Sequence, residues 1–173
     1  PIRMAGSAAD VPARRAVERA MAELRRGAAV VLAGDDGEAP AAVVAAAETA
    51  ETAAPALELA GAAPSCVVAA GRAAALSVDA RGSRNVAIRA VGAGGLLLEP
   101  SFIRAVAGVA GDAPPGERLT AMPADRLQDA AVELVKLARL LPAAVVARIA
   151  GDAASVARDA GLLTVRPSDV AVY

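Results

Sequence analysis

The chain has 173 residues, 56% of them apolar, and it contains no histidine. Lys and Arg total 18 against 19 for Asp and Glu, so the formal charge of −1 gives no electrostatic reason to expect nucleic acid or an anionic membrane as a partner. Without histidine the chain lacks the commonest metal ligand and the usual acid–base residue near neutral pH. A Ser-His-Asp triad is therefore excluded.

The predicted elements of the first half alternate between helices and strands. Apolar residues at helical spacing predict an amphipathic helix that Pro12 opens and Gly27 closes, and short apolar runs predict buried strands. In chain order we expect a helix at 12–26, a strand at 28–33 with a turn at 34–37, helix at 40–61 with a break before Pro55, strands at 65–70 and 74–80, and a short helix at 84–91.

The second half continues this alternation after a glycine-rich loop at 92–95. We expect a strand at 96–98, a helix at 101–109, a mobile loop at 112–123, a helix at 125–141, a strand at 143–149, a helix at 152–161 with Asp152 as its N-cap, and a strand at 162–165. This order predicts an α/β (α+β) layered sandwich with a mixed sheet. We expect one domain over residues 1–173, with 1–11 as a candidate disordered N-terminus.

Cellular location is addressed by two sequence features. Cys66 is the sole cysteine, so an intramolecular disulfide is excluded and a reducing compartment is expected. No uninterrupted apolar stretch reaches 18 residues, and residues 1–10 lack the pattern of a signal peptide. These features predict a cytoplasmic protein.

The apolar excess also predicts a homodimer, because a monomer of this composition would expose a sizeable apolar patch.

Several phrases, in this order along nearly the whole chain, resemble the 3,4-dihydroxy-2-butanone 4-phosphate synthase family of the riboflavin pathway. They are residues 16–27, 30–36, 45–48, 76–81, 83–89, 129–138, 155–158 and 161–173. The family enzyme converts ribulose 5-phosphate to a four-carbon phosphate and formate with a divalent metal. The resemblance implies a compact α/β sandwich that dimerises and shares its active sites across the interface.

The catalytic motifs of that family are largely missing from this chain. The family's acidic loop is shortened in this chain to residues 35–40, where Glu38 is the one weak metal-ligand candidate that remains. The family's Gly-His-Thr-Glu motif falls on residues 126–129, so Leu127 replaces the metal-binding histidine. A catalytic carboxylate on a later strand is replaced by Arg148. Since the family reaction needs metal and acid–base groups, the parent activity is not expected.

Carboxylates could still form a site at the end of the first strand. Asp35, Asp36 and Glu38 occupy a turn where α/β folds commonly bind ligands, and Asp129 matches a family position near the ancestral pocket. These four residues are the candidate catalytic groups, and Mg²⁺ is the candidate cofactor. The competing interpretation is that Asp35 and Asp36 simply form a turn and that Asp129 is an exposed helical residue.

The candidate substrate-binding residues are Arg84, Arg148, Asp152 and Arg158. Guanidinium groups bind phosphate or carboxylate in two-point fashion, although each could instead make an ordinary ion pair, and Asp152 could be merely an N-cap. Arg148 lies in an apolar strand, where an unpaired charge is costly. We therefore predict a carboxylate partner for Arg148, with Glu133 or Asp152 as the candidates.

Three functions remain open. The ancestral pocket is repurposed for another small anionic molecule, or the chain is a noncatalytic relative that forms a homodimer or a heterodimer with an active homologue, or it is an active synthase. Fold alone cannot choose among them, because function depends on the site. A concave pocket that contains Asp35, Asp36 or Glu38 together with arginines favours repurposing, whereas a pocket filled by Ala and Leu side chains favours the noncatalytic relative.

Overall fold

A computed structural model of the chain describes residues 10–34, 40–90, 99–109, 111 and 118–173. Its helices are α1 (Asp10–Arg25), α2 (Ala50–Glu58), α3 (Ala70–Ala75), α4 (Pro100–Ala107), α5 (Arg126–Leu137), α6 (Ala153–Ala160) and α7 (Pro167–Val172), with a 3-10 helix at Ala47–Thr49. Its strands are β1 (Val30–Ala33), β2 (Ala41–Ala46), β3 (Ser65–Ala69), β4 (Asn85–Ala90), β5 (Leu119–Pro123), β6 (Ala143–Arg148) and β7 (Thr164–Val165). No helix in these ranges is long and apolar enough to cross a bilayer.

Within the described ranges the strands form one sheet in the order β5-β4-β3-β6-β2-β1-β7. Neighbouring strands are antiparallel except β1 and β7, which are parallel. Helices α1, α5 and α7 cover one face, and α2, α3, α4 and α6 cover the other. The predicted α/β layered sandwich with a mixed sheet is confirmed.

The core is divided into two apolar clusters by the sheet. Because side chains alternate along a strand, Val30 and Leu32 pack against the α1/α5/α7 layer, and Val31 and Ala33 pack against the opposite layer. Alanine is frequent on both faces, so there is little side-chain bulk to hold the helices away from the sheet.

The prediction of helix at 40–61 is wrong in its first part. Residues 41–46 form β2, which is buried along its whole length between β1 and β6. Alanine favours helices in isolation, but this run has no polar residue to form an exposed helical face, and burial on both faces of a central strand decides its conformation. The predicted break before Pro55 is also wrong, because Pro55 lies inside α2.

Three further element predictions require correction. The predicted strand at 74–80 is instead the end of α3 followed by a turn, and the predicted helix at 84–91 contains β4, which pairs with β3 and β5. Residues 119–123 of the predicted loop form β5, at one edge of the sheet. Tertiary strand pairing overrides local preference in both β4 and β5. The short helix α7 was not predicted, and the predicted strand at 96–98 lies outside the described residues.

The remaining predictions agree with the structure within one to four residues at the ends. Helices α1, α4, α5 and α6 and strands β1, β3, β6 and β7 occur where periodicity and cap residues indicate them. Residues 10 and 11 belong to α1, whereas residues 1–9 and the turn at 35–37 lie outside the described ranges.

Candidate functional site

An open cleft of about 520 Å³ lies on the α1/α5 face of the sheet, beyond the start of α5. Its floor comes from strands β3 to β6, which lie side by side in the order β5-β4-β3-β6. Alternation along these strands directs Ser65, Arg89, Thr120 and Arg148 to this face. Because α5 begins further along the sheet, Arg89, Thr120 and Arg148 keep contact with solvent, whereas Ser65 is buried.

One wall of the cleft is the first turn of α5, which is held by a capping box. Asp125 accepts a hydrogen bond at Oδ1 from the backbone N–H of Gln128 (2.9 Å), and Gln128 Oε1 accepts one from the backbone N–H of Asp125 (3.0 Å). Both residues line the cleft. The side-chain NH₂ of Gln128 donates no hydrogen bond to the described residues. The wall therefore presents an uncommitted donor to the cleft.

Arg148 forms an ion pair across the cleft with the second carboxylate oxygen of Asp125. The predicted carboxylate partner therefore exists, but the predicted identities are wrong. Glu133 lies about 12 Å further along α5 and pairs with Lys136, and Asp152 begins α6, which packs on the opposite face of the sheet. The direction of the β6 side chain decides the partner. The Arg148 and Asp125 side chains are 39% and 46% exposed, so the pair is accessible to solvent.

A second arginine, Arg89, borders the same cleft. Its Nε donates to the hydroxyl of Ser65 (2.8 Å) and its Nη2 to the backbone oxygen of Ala63 (3.2 Å). The charged residues of the described lining are therefore two arginines and one carboxylate, a net charge of +1. The sequence prediction missed Arg89 because a helix was expected there. The Asp125-x-x-Gln128 spacing was a usable signal for the capping box.

Two other cavities are less suited to a polar ligand. A cavity of about 560 Å³ between α2 and α6 is lined mainly by apolar residues, and Arg26 is its one charged lining residue in the part of the chain that the structure describes. A cavity of about 430 Å³ between α5 and α7 is lined by two arginines and two carboxylates, whose charges cancel: Arg84, Arg126, Asp129 and Glu133. The β3–β6 cleft is therefore the candidate binding site.

The chain was compared with known proteins and solved structures. No protein-family model matches it. A GTP cyclohydrolase-2 from Azospirillum brasilense is 39% identical over 171 residues, which cover 95% of this chain and 43% of that protein. The chain thus spans less than half the length of this curated relative.

Solved structures share the fold over most of the chain. A 3,4-dihydroxy-2-butanone 4-phosphate synthase from Candida albicans matches with a TM-score of 0.65 and 17% identity over 91% of this chain and 96% of that one. The chain has the fold of this synthase family. A two-domain synthase from A. baumannii matches with a TM-score of 0.64 and 22% identity, over 89% of this chain and 56% of that one. A synthase in complex with two magnesium ions matches with a TM-score of 0.62 and 22% identity, over 88% of this chain and 93% of that one. The resemblance found in the sequence is confirmed.

The described lining of the cleft does not fit a magnesium site like those of that family. Leu127, in the position of the motif histidine, is 3% exposed and packs in the core with Leu134 and Val135. Arg148 brings a positive charge where the resemblance implies a carboxylate, and Asp125 is already paired with it. Among the described residues no three His, Cys, Asp or Glu side chains form a group that could hold a metal. Asp35, Asp36 and Glu38 lie outside the described ranges, so their assignment stays a prediction.

The other predicted site residues do not join Arg148. Asp129 accepts a hydrogen bond from Asn85 (2.8 Å) and shares the α5/α7 cavity with Arg84. Two of the predicted residues are therefore brought together, but in a separate cavity. Their assignments as catalytic and substrate-binding residues stay predictions.

Asp152 and Arg158 lie in a third location, at α6. Asp152 caps this helix by accepting from the backbone N–H (3.0 Å) and the hydroxyl (2.7 Å) of Ser155, and Arg158 donates to the same hydroxyl (3.2 Å). The hydrogen bond from the Ser155 hydroxyl is the main cause that lowers the pKa of Asp152. The predicted N-cap is confirmed, and a role in substrate binding stays a prediction.

Cys66 is not a candidate nucleophile. Its side chain is buried in the core, and burial raises the pKa of the thiol to about 12, although Arg72 opposes this shift. A nucleophilic thiol needs a lowered pKa, because the thiolate is the reactive form. Cys66 is therefore a residue of the apolar core.

Proposed function

We propose that the cleft formed by β3 to β6 and the start of α5 binds a small organic anion, and that the ancestral pocket has been repurposed for this ligand. The observation that carries the proposal is that two guanidinium groups and the side-chain amide of Gln128 line one open cleft, in which Asp125 is the single carboxylate of the described lining. Arginine binds carboxylate and phosphate groups through parallel hydrogen bonds. The volume of about 520 Å³ is within the usual range for small-molecule sites.

The parent synthase reaction is not part of this proposal. That chemistry uses a divalent metal to polarise a carbonyl and acid–base groups to move protons. At two positions where the resemblance implies such groups, Arg148 and the buried Leu127 supply neither. GTP cyclohydrolase activity is not proposed for this chain either, because more than half of the GTP cyclohydrolase-2 relative lies outside the matched region.

The proposal is tested by titrating the protein with a panel of sugar phosphates and small carboxylic acids, with binding followed by calorimetry and by thermal shift. We expect at least one compound to bind. Arg148→Gln should lower the affinity for that compound at least tenfold, because a charge-assisted two-point contact contributes about 1.5–3 kcal/mol. Arg19→Gln is the matched control, since it removes the same charge from the exposed surface of α1. Equal weakening by both variants would indicate nonspecific electrostatics and contradict the proposal.

A second assay separates repurposing from retained activity. Ribulose 5-phosphate and Mg²⁺ are supplied, and formate is measured. We expect no formate above the background without protein. Formate production at an ordinary enzymatic rate would overturn the proposal and support the active-synthase alternative.

A second candidate function is self-association without catalysis. Met122 on the edge strand β5 is 67% exposed, next to the cleft. Edge strands and exposed apolar side chains are common association surfaces. Light scattering at micromolar concentration tests this candidate, with Met122→Glu as the disrupting variant. A monomeric wild-type protein would reject a homodimer, and mixing with an active homologue would test the heterodimer.

A further inference from the structure

The two carboxylate oxygens of Asp125 have different tasks. Oδ1 caps α5 through the backbone N–H of Gln128, and Oδ2 pairs with Arg148. The capping contact is local to the helix, whereas the ion pair reaches across the cleft to β6. Arg148 is therefore occupied by an anion that belongs to the protein itself.

We propose that Asp125 is a built-in counter-anion for the cleft, and that an anionic ligand binds by displacing its Oδ2 from Arg148. This inference rests on the proposed function, because it assumes that the ligand contacts Arg148. Asp125 then competes with the ligand and weakens its binding. It also sets the charge that the cleft prefers.

The exposure of the ion pair makes the displacement feasible. Both side chains are partly open to solvent, and such pairs are weak because water screens them and flexible side chains lose entropy when they are held. A ligand that brings its own carboxylate can replace the Asp125 contact at little cost. The cap on α5 can stay in place, because it uses the other oxygen.

Asp125 reduces the advantage that the two arginines give to a doubly charged ligand. Arg89 and Arg148 contribute two positive charges, and Asp125 cancels one of them. A dianion such as a fully ionised phosphate ester is attracted more strongly by the two arginines than a carboxylate is, but it is also repelled more strongly by Asp125. Asp125 is thus a specificity-determining residue in this inference.

Asp125→Asn separates the charge from the cap. Asparagine is as good an N-cap as aspartate, so α5 should keep its first turn while the competing charge is removed. Acetate is the monoanionic probe and sulfate the dianionic probe, both titrated at constant ionic strength. Binding is followed by NMR at the side-chain amide of Gln128 and the Nε–H of Arg148.

We expect Asp125→Asn to bind acetate about two- to fivefold more tightly than wild type, which corresponds to the strength of a partly exposed ion pair. The gain for sulfate should be larger, because removal of one negative charge favours a dianion more than a monoanion. Asp159→Asn is the matched control: Asp159 is exposed on α6, and its substitution makes the same change in net charge. This control should leave both affinities unchanged.

A double variant tests whether the gain depends on Arg148. In the Arg148→Gln background, Asp125→Asn should improve binding much less, because the arginine that it frees is absent. An equal gain in both backgrounds would mean that Asp125 acts through long-range repulsion, and would overturn the displacement mechanism.

The outcomes distinguish this inference from the proposed function. Wild-type binding that Asp125→Asn leaves unchanged or weakens refutes the counter-anion role and leaves the anion site standing. Binding by Asp125→Asn but not by wild type supports both the anion site and the counter-anion role of Asp125. The absence of binding by both proteins, with no shift of the Gln128 amide, refutes the anion site and the counter-anion role together.

Discussion

Leu127→His reintroduces a histidine at the position where the resemblance places the metal ligand of the family. If Leu127 faced the cleft, this change would restore part of a metal site. In the structure Leu127 lies on the buried face of α5 and belongs to the core cluster that includes Leu134 and Val135. We therefore expect the substitution to destabilise the protein and to create no metal site.

The magnitude follows from burial. Leu127 is 3% exposed, so its apolar surface contributes about 1.5–3 kcal/mol that a histidine would largely lose. A buried imidazole without hydrogen-bond partners costs about 1–3 kcal/mol more. We expect the free energy of unfolding to fall by about 3–5 kcal/mol, a large share of the stability of an ordinary domain.

The pH dependence supplies a second signature. Burial lowers the pKa of a histidine in the folded state below its unfolded value of about 6.5, so protonation favours unfolding. The stability deficit of Leu127→His should therefore grow as the pH falls below about 6.5. Wild type has no histidine, so this added slope is assignable to residue 127.

The assay is urea unfolding at several pH values, with and without Mg²⁺ or Zn²⁺. Leu127→Ala is the control: it should lose about 2–5 kcal/mol with no added pH slope. A Leu127→His protein as stable as wild type, and stabilised further by divalent metal, would show that residue 127 faces the cleft. That result would refute the argument that the metal site has been lost.

Three further predictions concern single residues. Cys66 should not react with a thiol reagent in the folded protein and should react fully in denaturant, because its thiol is buried and its pKa is raised to about 12. Gly108→Ala should lower the free energy of unfolding more than Gly82→Ala. Both have positive φ, which costs a residue with a side chain about 1–2 kcal/mol, but a Cβ at Gly108 would also lie 3.1 Å from the Arg72 guanidinium carbon. Asp152→Asn should make stability fall less steeply in acid, since a lowered aspartate pKa contributes stability that is lost as the pH falls through the folded value.

Each of these predictions has a contradicting result. Rapid labelling of Cys66 in the native protein would mean that the core opens readily. Equal losses for Gly108→Ala and Gly82→Ala, measured by urea unfolding, would mean that Arg72 moves aside at no cost. An unchanged acid-unfolding curve for Asp152→Asn would mean that the hydrogen bonds of the N-cap do not persist in solution.

The helices with clear polar and apolar faces were predictable from the sequence. In α1, Val17, Ala20, Met21 and Leu24 recur at helical spacing and are buried on one face. α5 and α6 carry the additional signal of an aspartate N-cap. Such elements are determined by local periodicity, which does not depend on the neighbours.

The central and edge strands were not predictable in this way. β2 is a run of alanine and valine buried on both faces, so it has no alternation, and its alanines favour the helix that was expected. β4 becomes a strand because β3 and β5 pair with it on both sides. Strand pairing supplies hydrogen bonds that no local window of sequence contains.

The candidate site shows the same division. Arg148 could be selected from the sequence, because a charge in an apolar strand requires a partner or a function. Its partner Asp125, the second arginine Arg89 and the wall residue Gln128 could not be assigned to the same place. They are separated along the chain by up to about 60 residues and meet through the β5-β4-β3-β6 order.

Local chemistry in the chain specifies the caps, the amphipathic helices, the family resemblance and the missing histidine. The cleft depends on the folded sheet, because side-chain direction alternates with every strand residue and a shift of one position would turn Arg148 to the opposite face. Which carboxylate neutralises this arginine, and whether Leu127 faces ligand or core, are consequences of packing between elements distant in sequence.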